Sequence, residues 1–269
     1  PGDEVIIPAP YWVSYADIAL VAEGRPVIVD CGIEQGFKIT AAQLEAAITP
    51  KTKLFMINSP SNPTGAVYTL AELQALGEVL KRHPQVLVAT DDMYEHVNLS
   101  GQKFVNILNA TPELKDRCIV LNGVSKAYSM TGWRIGYAAG PEKIIKAMEI
   151  LQSQSTSNPT SISQVAAEAA LNGDQSCIDP MVTAFRERHA FVVKRFNQGD
   201  EVHPGGRRLL RLSRCAPGHR GSPCQGQAEG GHRHGLFRIS AGDRRRRRGA
   251  GFRLRRRGLL HPAHARRDR

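Results

Sequence analysis

The stretch CIVLNGVSKAYSMTGWRIGYA, residues 118–138, decides how the rest of the chain is read. It opens on a short apolar run, Cys118–Leu121 (CIVL), with the length and β-branching of a buried strand, and closes on another, Ile135–Ala138 (IGYA). Between them lie a hydroxyl, a lysine and an arginine: Ser125, Lys126 and Arg134. Chemically distinct side chains gathered directly after an apolar strand are what a ligand site at a sheet edge requires.

The same pattern recurs upstream. Glu4–Ile7 (EVII), Pro26–Val29 (PVIV), Lys53–Ile57 (KLFMI) and Val86–Ala89 (VLVA) are further candidate strands. Thr69–Arg82 places Leu70, Leu73, Leu76 and Leu80 on one helical face. Strands alternating with helices predict an α/β domain whose mostly parallel sheet is sandwiched by helices. Helices are also predicted over Glu142–Ser155, Ser161–Leu171 and Pro180–Phe196. The division that follows is a large domain over 1–178, a connector helix over 179–198 and a tail of different composition over 199–269.

In open parallel sheets, ligands bind beyond the carboxyl ends of the strands. PAPYW, ending at Trp12, follows EVII; NSPSNPTG, with Asn62, follows KLFMI; TDDMY, with Asp91 and Tyr94, follows VLVA. With Ser125, Lys126 and Arg134, these supply an aromatic face, an amide, a carboxylate, a phenol, a hydroxyl, an amine and a guanidinium. That set suits a flat, anionic, nitrogen-containing cofactor, and pyridoxal phosphate matches each part. A lysine can hold the aldehyde as a Schiff base and carry the proton at the substrate's α-carbon. A carboxylate opposite the ring nitrogen keeps it protonated, arginine and serine suit a phosphate, and tryptophan offers a stacking face. Taken singly, each residue also has an ordinary reading. Lys126 alone is a solvated charge, Asp91 a helix cap, and Asn62 with the following Pro-Thr-Gly a turn; Trp12 and Tyr94 are core aromatics, and Arg134 is half of an ion pair. The constellation carries the reading.

SPSNPTG, DDMYEH and VSKAYSMTGWRIGYAAGP together resemble the motifs of class I aminotransferases, the aspartate-aminotransferase-like fold type I enzymes of pyridoxal phosphate. The similarity covers residues 1 to about 198 and is strongest to the bacterial aspartate aminotransferase branch. The resemblance implies that Lys126 is the Schiff-base lysine and Asp91 the partner of the pyridine nitrogen. It further implies that Asn62 and Tyr94 hydrogen-bond the ring's phenolic oxygen, that Trp12 stacks on the ring, and that Ser125 and Arg134 bind the phosphate. It implies transamination between an amino acid, aspartate first, and a 2-oxo acid. Aromatic or prephenate transamination and β-elimination are the alternatives on the same fold. Members are homodimers with sites at the subunit interface, which places STSNPTSISQ (155–164) near a partner.

Charge divides the chain as sharply as the motifs do. Residues 1–199 hold 17 Lys and Arg against 20 Asp and Glu, a net of −3, whereas 200–269 hold 19 Arg, no Lys and 5 acids, a net of +14. The run GDRRRRRGAGFRLRRRG (242–258) invites a nucleic-acid-binding arm. The proximity of Cys215, His219, Cys224, His232 and His234 invites a metal site. A third reading is translation of GC-rich DNA in the wrong frame. DEVHPGGRRLLRLSRC (200–215) has codons that, read one base later, give MKCIPAGGAFYAFPDA, a glycine turn and an alternating strand. The same offset turns HRHGLFRISAG (232–242) into IDTDFSEYLLE, an amphipathic helix. The expectation is therefore a frameshift between Asn197 and Asp200, a disrupted or disordered small domain, and no specific nucleic-acid or metal partner. Arg238, in GLFRIS, is then a decoy for the family's α-carboxylate-binding arginine.

The five cysteines, Cys31, Cys118, Cys177, Cys215 and Cys224, are odd in number and lack ligand spacing, which favours reduced thiols in the cytoplasm. No apolar run reaches the ~18–20 residues needed to span a bilayer. Opening on Pro-Gly-Asp and running straight into a strand, the chain reads as a piece of a longer protein. Without the family's N-terminal arm, phosphate loop and small domain, this exact chain is expected to be inactive and poorly soluble.

Overall fold

The computed structural model describes residues 1–197. The tail expected over 199–269, the cysteine–histidine cluster, the arginine run, Arg238 and the frameshifted reading lie outside the described residues.

Among the described residues six strands form one sheet: β1 (Glu4–Ala9), β2 (Arg25–Asp30), β3 (Thr52–Asn58), β4 (Leu87–Asp91), β5 (Cys118–Gly123) and β6 (Gly136–Ala139). Their order is β2-β1-β3-β4-β5-β6, with β1 to β5 parallel and β6 antiparallel to β5. Eight α-helices accompany them among the described residues: α1 (Ser14–Val21), α2 (Ala41–Ala47), α3 (Leu70–Arg82), α4 (Ile107–Ala110), α5 (Val124–Ala127), α6 (Glu142–Ser153), α7 (Ser161–Asn172) and α8 (Ile178–Asn197). The mixed α/β architecture and mostly parallel sheet are those expected.

The main core lies where α2, α3 and α4 meet the central strands. Ile6, Phe55, Ile57 and Val88 of the sheet pack with Leu44, Leu73, Leu76, Leu80 and Ile107 of the helices, all fully or almost fully buried. Capping fixes the helix starts. Thr40, Thr69 and Asn106 each accept from the N3 backbone N–H, and Gln43, Glu72 and Asn109 reach back to the cap, so each start is a reciprocal capping box. At the other end of α3, Arg117 donates to the carbonyls of Leu80, His83 and Val86, which covers orphan acceptors of the last turn.

The strands run past the ends of their apolar runs, β3 and β4 among them. β3 continues to Asn58 and β4 to Asp91, and these polar residues face each other in register. A neighbouring ladder satisfies the backbone whatever the side chain, so pairing outlasts hydrophobicity. Helices α1 and α2, not expected from the sequence, are short, and α1 has no clean apolar stripe.

The chain enters at β1, crosses to β2 on one side and returns to β3 on the other. The crevice beyond the carboxyl ends of β1 and β3 is thus a topological switch point, the place where doubly wound sheets bind ligands.

Candidate active site

Residues from four strand ends meet at this edge. Trp12 follows β1, and the next turn of chain begins α1, where the Tyr15 N–H donates to the Trp12 carbonyl at 3.0 Å. The two rings meet edge-on, with centroids 5.4 Å apart at 88°. Trp12 remains 43% exposed, so a large aromatic surface is left open at the mouth of the crevice. Tyr15 is buried, and its hydroxyl donates to Asp91 Oδ2. The other carboxylate oxygen, Oδ1, accepts from the Met93 N–H at 3.1 Å. The Asp91 carboxyl group is therefore oriented from two sides at the last residue of β4.

Asn62 stands in the turn after β3. Its backbone N–H donates to Asn58 Oδ1 at 2.7 Å, and Asn58 Nδ2 donates to the Asp91 carbonyl at 2.7 Å. Tyr94, one turn beyond Asp91, is buried, and Lys126 Nζ lies 5.6 Å from the centre of its ring. Lys126 itself is half-buried on α5, which begins directly after β5. Asn122 Nδ2 donates to Glu95 Oε1 at 2.8 Å, holding the end of β5 against the segment that carries Tyr94.

Ser125 and Arg134 share one edge by way of the sheet. Gly123 pairs with Gly136, and Ser125 lies two residues after the first while Arg134 lies two before the second. A side chain at Gly123 would bring its Cβ within 2.8 Å of the Ile135 carbonyl oxygen, so this approach of β5 and β6 requires glycine. Arg134 takes the left-handed conformation, is exposed, and donates to the Thr131 carbonyl at 2.8 Å. Trp12 and Asn62 are thus linked to Asp91 through Tyr15 and Asn58, and Lys126 to Tyr94, while Ser125 follows β5 and Arg134 precedes β6.

Two residues escaped the sequence reading. Tyr15 sits three positions after Trp12 at the start of a helix, a spacing that places two aromatics on one face. Asn58 is the polar residue that ends the apolar run KLFMI, a signal visible once β3 is allowed to extend by one position.

Close by, Asp92 is buried where Asp91 is not. Thr90 Oγ1 donates to it at 2.6 Å and Asn106 Nδ2 at 2.7 Å. Desolvation pushes its carboxyl up to about 6 despite these two donors, with smaller contributions from Glu95 and Asp91. It belongs to the packing behind the sheet edge.

The residues present fit pyridoxal phosphate: an amine over a phenol ring, a carboxylate held from two sides, an amide in the turn after β3, a part-exposed indole and an exposed guanidinium. Comparison with known proteins gives the family. The family described as aminotransferase class I and II matches residues 1–207. The aspartate/prephenate aminotransferase of Nitrosomonas europaea is 68% identical over 203 residues, covering 76% of this chain and 51% of that protein. Among solved structures, the aspartate aminotransferase from Rhizobium meliloti superposes with a TM-score of 0.73 at 54% identity, over 74% of this chain and 50% of that one. The Thermus thermophilus aspartate aminotransferase with maleate gives 0.71 at 38% identity, over 77% and 54%. The chain spans about half the length of the curated relatives it matches. On the sheet order, the strand-end constellation and these similarities together, the chain belongs to the class I and II aminotransferase family.

Proposed function

We propose that the parent protein of this chain is a pyridoxal-phosphate-dependent aminotransferase that moves an amino group between aspartate and a 2-oxo acid. The observation that supports the reading is the Lys126 amine over the Tyr94 ring at one strand end and, at the neighbouring one, the Asp91 carboxylate held by Tyr15, which also meets Trp12 edge-on. Bound there, the cofactor would supply an aldehyde for an amine and a ring that takes up electrons when an α-proton leaves.

Each residue then has a task. Lys126 is the amine that carries the cofactor and moves the proton at the α-carbon. Asp91, held by Tyr15 and by its own turn, offers an oriented negative charge to the ring nitrogen. Tyr15 joins the list as the donor that orients Asp91. Asn62 and Tyr94 would donate to the phenolic oxygen, Trp12 would offer the ring a stacking face, and Ser125 with Arg134 would hold the phosphate. Residues 1–178 form the large domain and α8 leads toward a second one.

Prephenate is the second amino acceptor to test, because the relatives from Nitrosomonas europaea and Cereibacter sphaeroides, 68% and 59% identical, are both named for aspartate and prephenate. A homodimer is part of the reading, supported by apolar side chains on α6 and α7 that stay exposed, Ile150, Leu151, Ile162 and Val165 among them. Among the described residues Cys31, Cys118 and Cys177 are free thiols, which supports a reducing, cytoplasmic setting. No helix of the described residues is long and apolar enough to cross a membrane.

The 269-residue chain itself is proposed to take up the cofactor without turning over, its tail being an out-of-frame segment with no specific nucleic-acid partner. Purified chain is incubated with pyridoxal phosphate, aspartate and 2-oxoglutarate while oxaloacetate is followed, beside a chain extended to the full length of its relatives. Turnover by the extended chain alone supports the proposal. An extended chain that binds cofactor but transaminates neither aspartate nor prephenate contradicts it. Sequencing the coding DNA around codon 199 tests the frame.

A further inference from the structure

We propose that Asn58 is a positioning residue that couples the two sides of the cofactor site, fixing Asn62 relative to Asp91; the proposal rests on the pyridoxal-phosphate reading above. Asn58 ends β3 directly opposite Asp91, which ends β4. Its carboxamide is used at both ends and with opposite polarity: Nδ2 donates to the Asp91 carbonyl and Oδ1 accepts the Asn62 N–H, each at 2.7 Å. One short planar group thus ties together two peptides that carry the residues assigned to opposite edges of the ring.

No other side chain of this size does both. Aspartate accepts from Asn62 but sets a negative oxygen against the Asp91 carbonyl. Leucine has the shape and leaves both partners unmatched, and alanine leaves a gap. The remaining anchors of the two segments are independent of each other. The turn that carries Asn62 is closed by the Ser61 N–H on the Ala66 carbonyl at 2.9 Å and the Tyr68 N–H on Ser59 Oγ at 3.2 Å. The Asp91 carboxylate is held by Tyr15 and the Met93 N–H. Asn58 is the link between these two systems, acting through Asn62 and Asp91 on the ring.

Hydrogen–deuterium exchange on the full chain reads the coupling without any cofactor. In Asn58→Ala, the amides of Asn62 and Met93 are expected to exchange about tenfold faster together, the loss of one hydrogen bond's worth of protection, while amides of β1 keep their rates. In Asn58→Asp, Asn62 stays protected and Met93 alone speeds up. Faster exchange at Asn62 with Met93 unchanged in Asn58→Ala overturns the coupling, as does a uniform rise across the sheet or loss of folding, which would make Asn58 merely structural. A second arm adds pyridoxal phosphate and follows the visible band with pH. The expected result for Asn58→Ala is a shifted pH midpoint and about tenfold weaker retention of the cofactor, with the fold retained. An unshifted band in Asn58→Ala overturns the proposal. A wild-type chain with no Lys126-dependent band refutes the cofactor reading, and with it the positioning role, while the exchange arm still reports the coupling separately.

Discussion

The core around α3 and the run of helices α6, α7 and α8 are built from similarly apolar sequences and use them in opposite ways. Helix α3 buries Leu73, Leu76, Val79 and Leu80 against the sheet, whereas α6 buries none of its residues and α8 only Ile178. Leu151 and Ile162 are each 72% exposed, and Leu80 is 0% exposed. The first region is a finished core. The second carries its apolar side chains into water, a surface that the proposed homodimer would cover. Helices α3 and α6 are equally amphipathic; what differs between them is the partner.

Stability measurements can break or sharpen this contrast. The largest effect is expected for Leu80→Ala, a loss of about 3 kcal/mol in urea denaturation through transfer and cavity terms, while Leu151→Ala changes stability by less than about 0.5 kcal/mol. Equal losses at the two positions would mean that α6 is packed as tightly as α3.

Asp92 comes next. Its carboxyl is raised from 3.8 to about 6, so between those values the folded chain holds a proton that the unfolded chain releases. Stability contributed by the protonated form therefore falls as pH rises through this window, by about 2–3 kcal/mol, and the deficit persists above it. Asp92→Asn is expected to flatten that slope in chemical denaturation between pH 4 and 7. Its amide can place Nδ2 toward Thr90 and keep its oxygen on Asn106. A slope that survives the substitution assigns the effect to another group.

Gly77 tests how closely α3 approaches its neighbour. Alanine in a helix interior ordinarily stabilises by about 1 kcal/mol relative to glycine, but a Cβ here would lie 1.8 Å from Thr111 Oγ1. Gly77→Ala is expected to destabilise by about 1–2 kcal/mol in the same assay, the sign being the informative part. The smallest change is expected for Thr69→Ala, about 1 kcal/mol from the lost capping box, with the helix otherwise intact by circular dichroism.

Much of the fold was legible because parallel strands buried on both faces announce themselves as short apolar runs. All six runs became strands. The ends were less legible, since Asn58 and Asp91 are polar and read as loop, although ladder pairing keeps them in the sheet. Helix α1 was missed because its apolar residues, among them exposed Ile18, Leu20 and Val21, do not form one stripe. The candidate site residues Trp12, Asn62, Asp91, Tyr94 and Lys126 could be named from motifs following strands. Tyr15 could not, because its importance lies in a bond across 76 positions of sequence that only the folded sheet creates. The arginine-rich tail shows the reverse case: its composition is conspicuous, but the family match that gives residues upstream their meaning reaches only residue 207.

The central claim is that the amine of Lys126 is the one that takes up pyridoxal phosphate. Borohydride reduction of the purified chain mixed with the cofactor, followed by peptide mass mapping, tests it most directly, since reduction turns the carbon–nitrogen double bond into a stable secondary amine. The account predicts a single phosphopyridoxyl adduct on the peptide containing Lys126, lost in Lys126→Ala. An adduct spread over surface lysines, or one that persists unchanged in that variant, would contradict it.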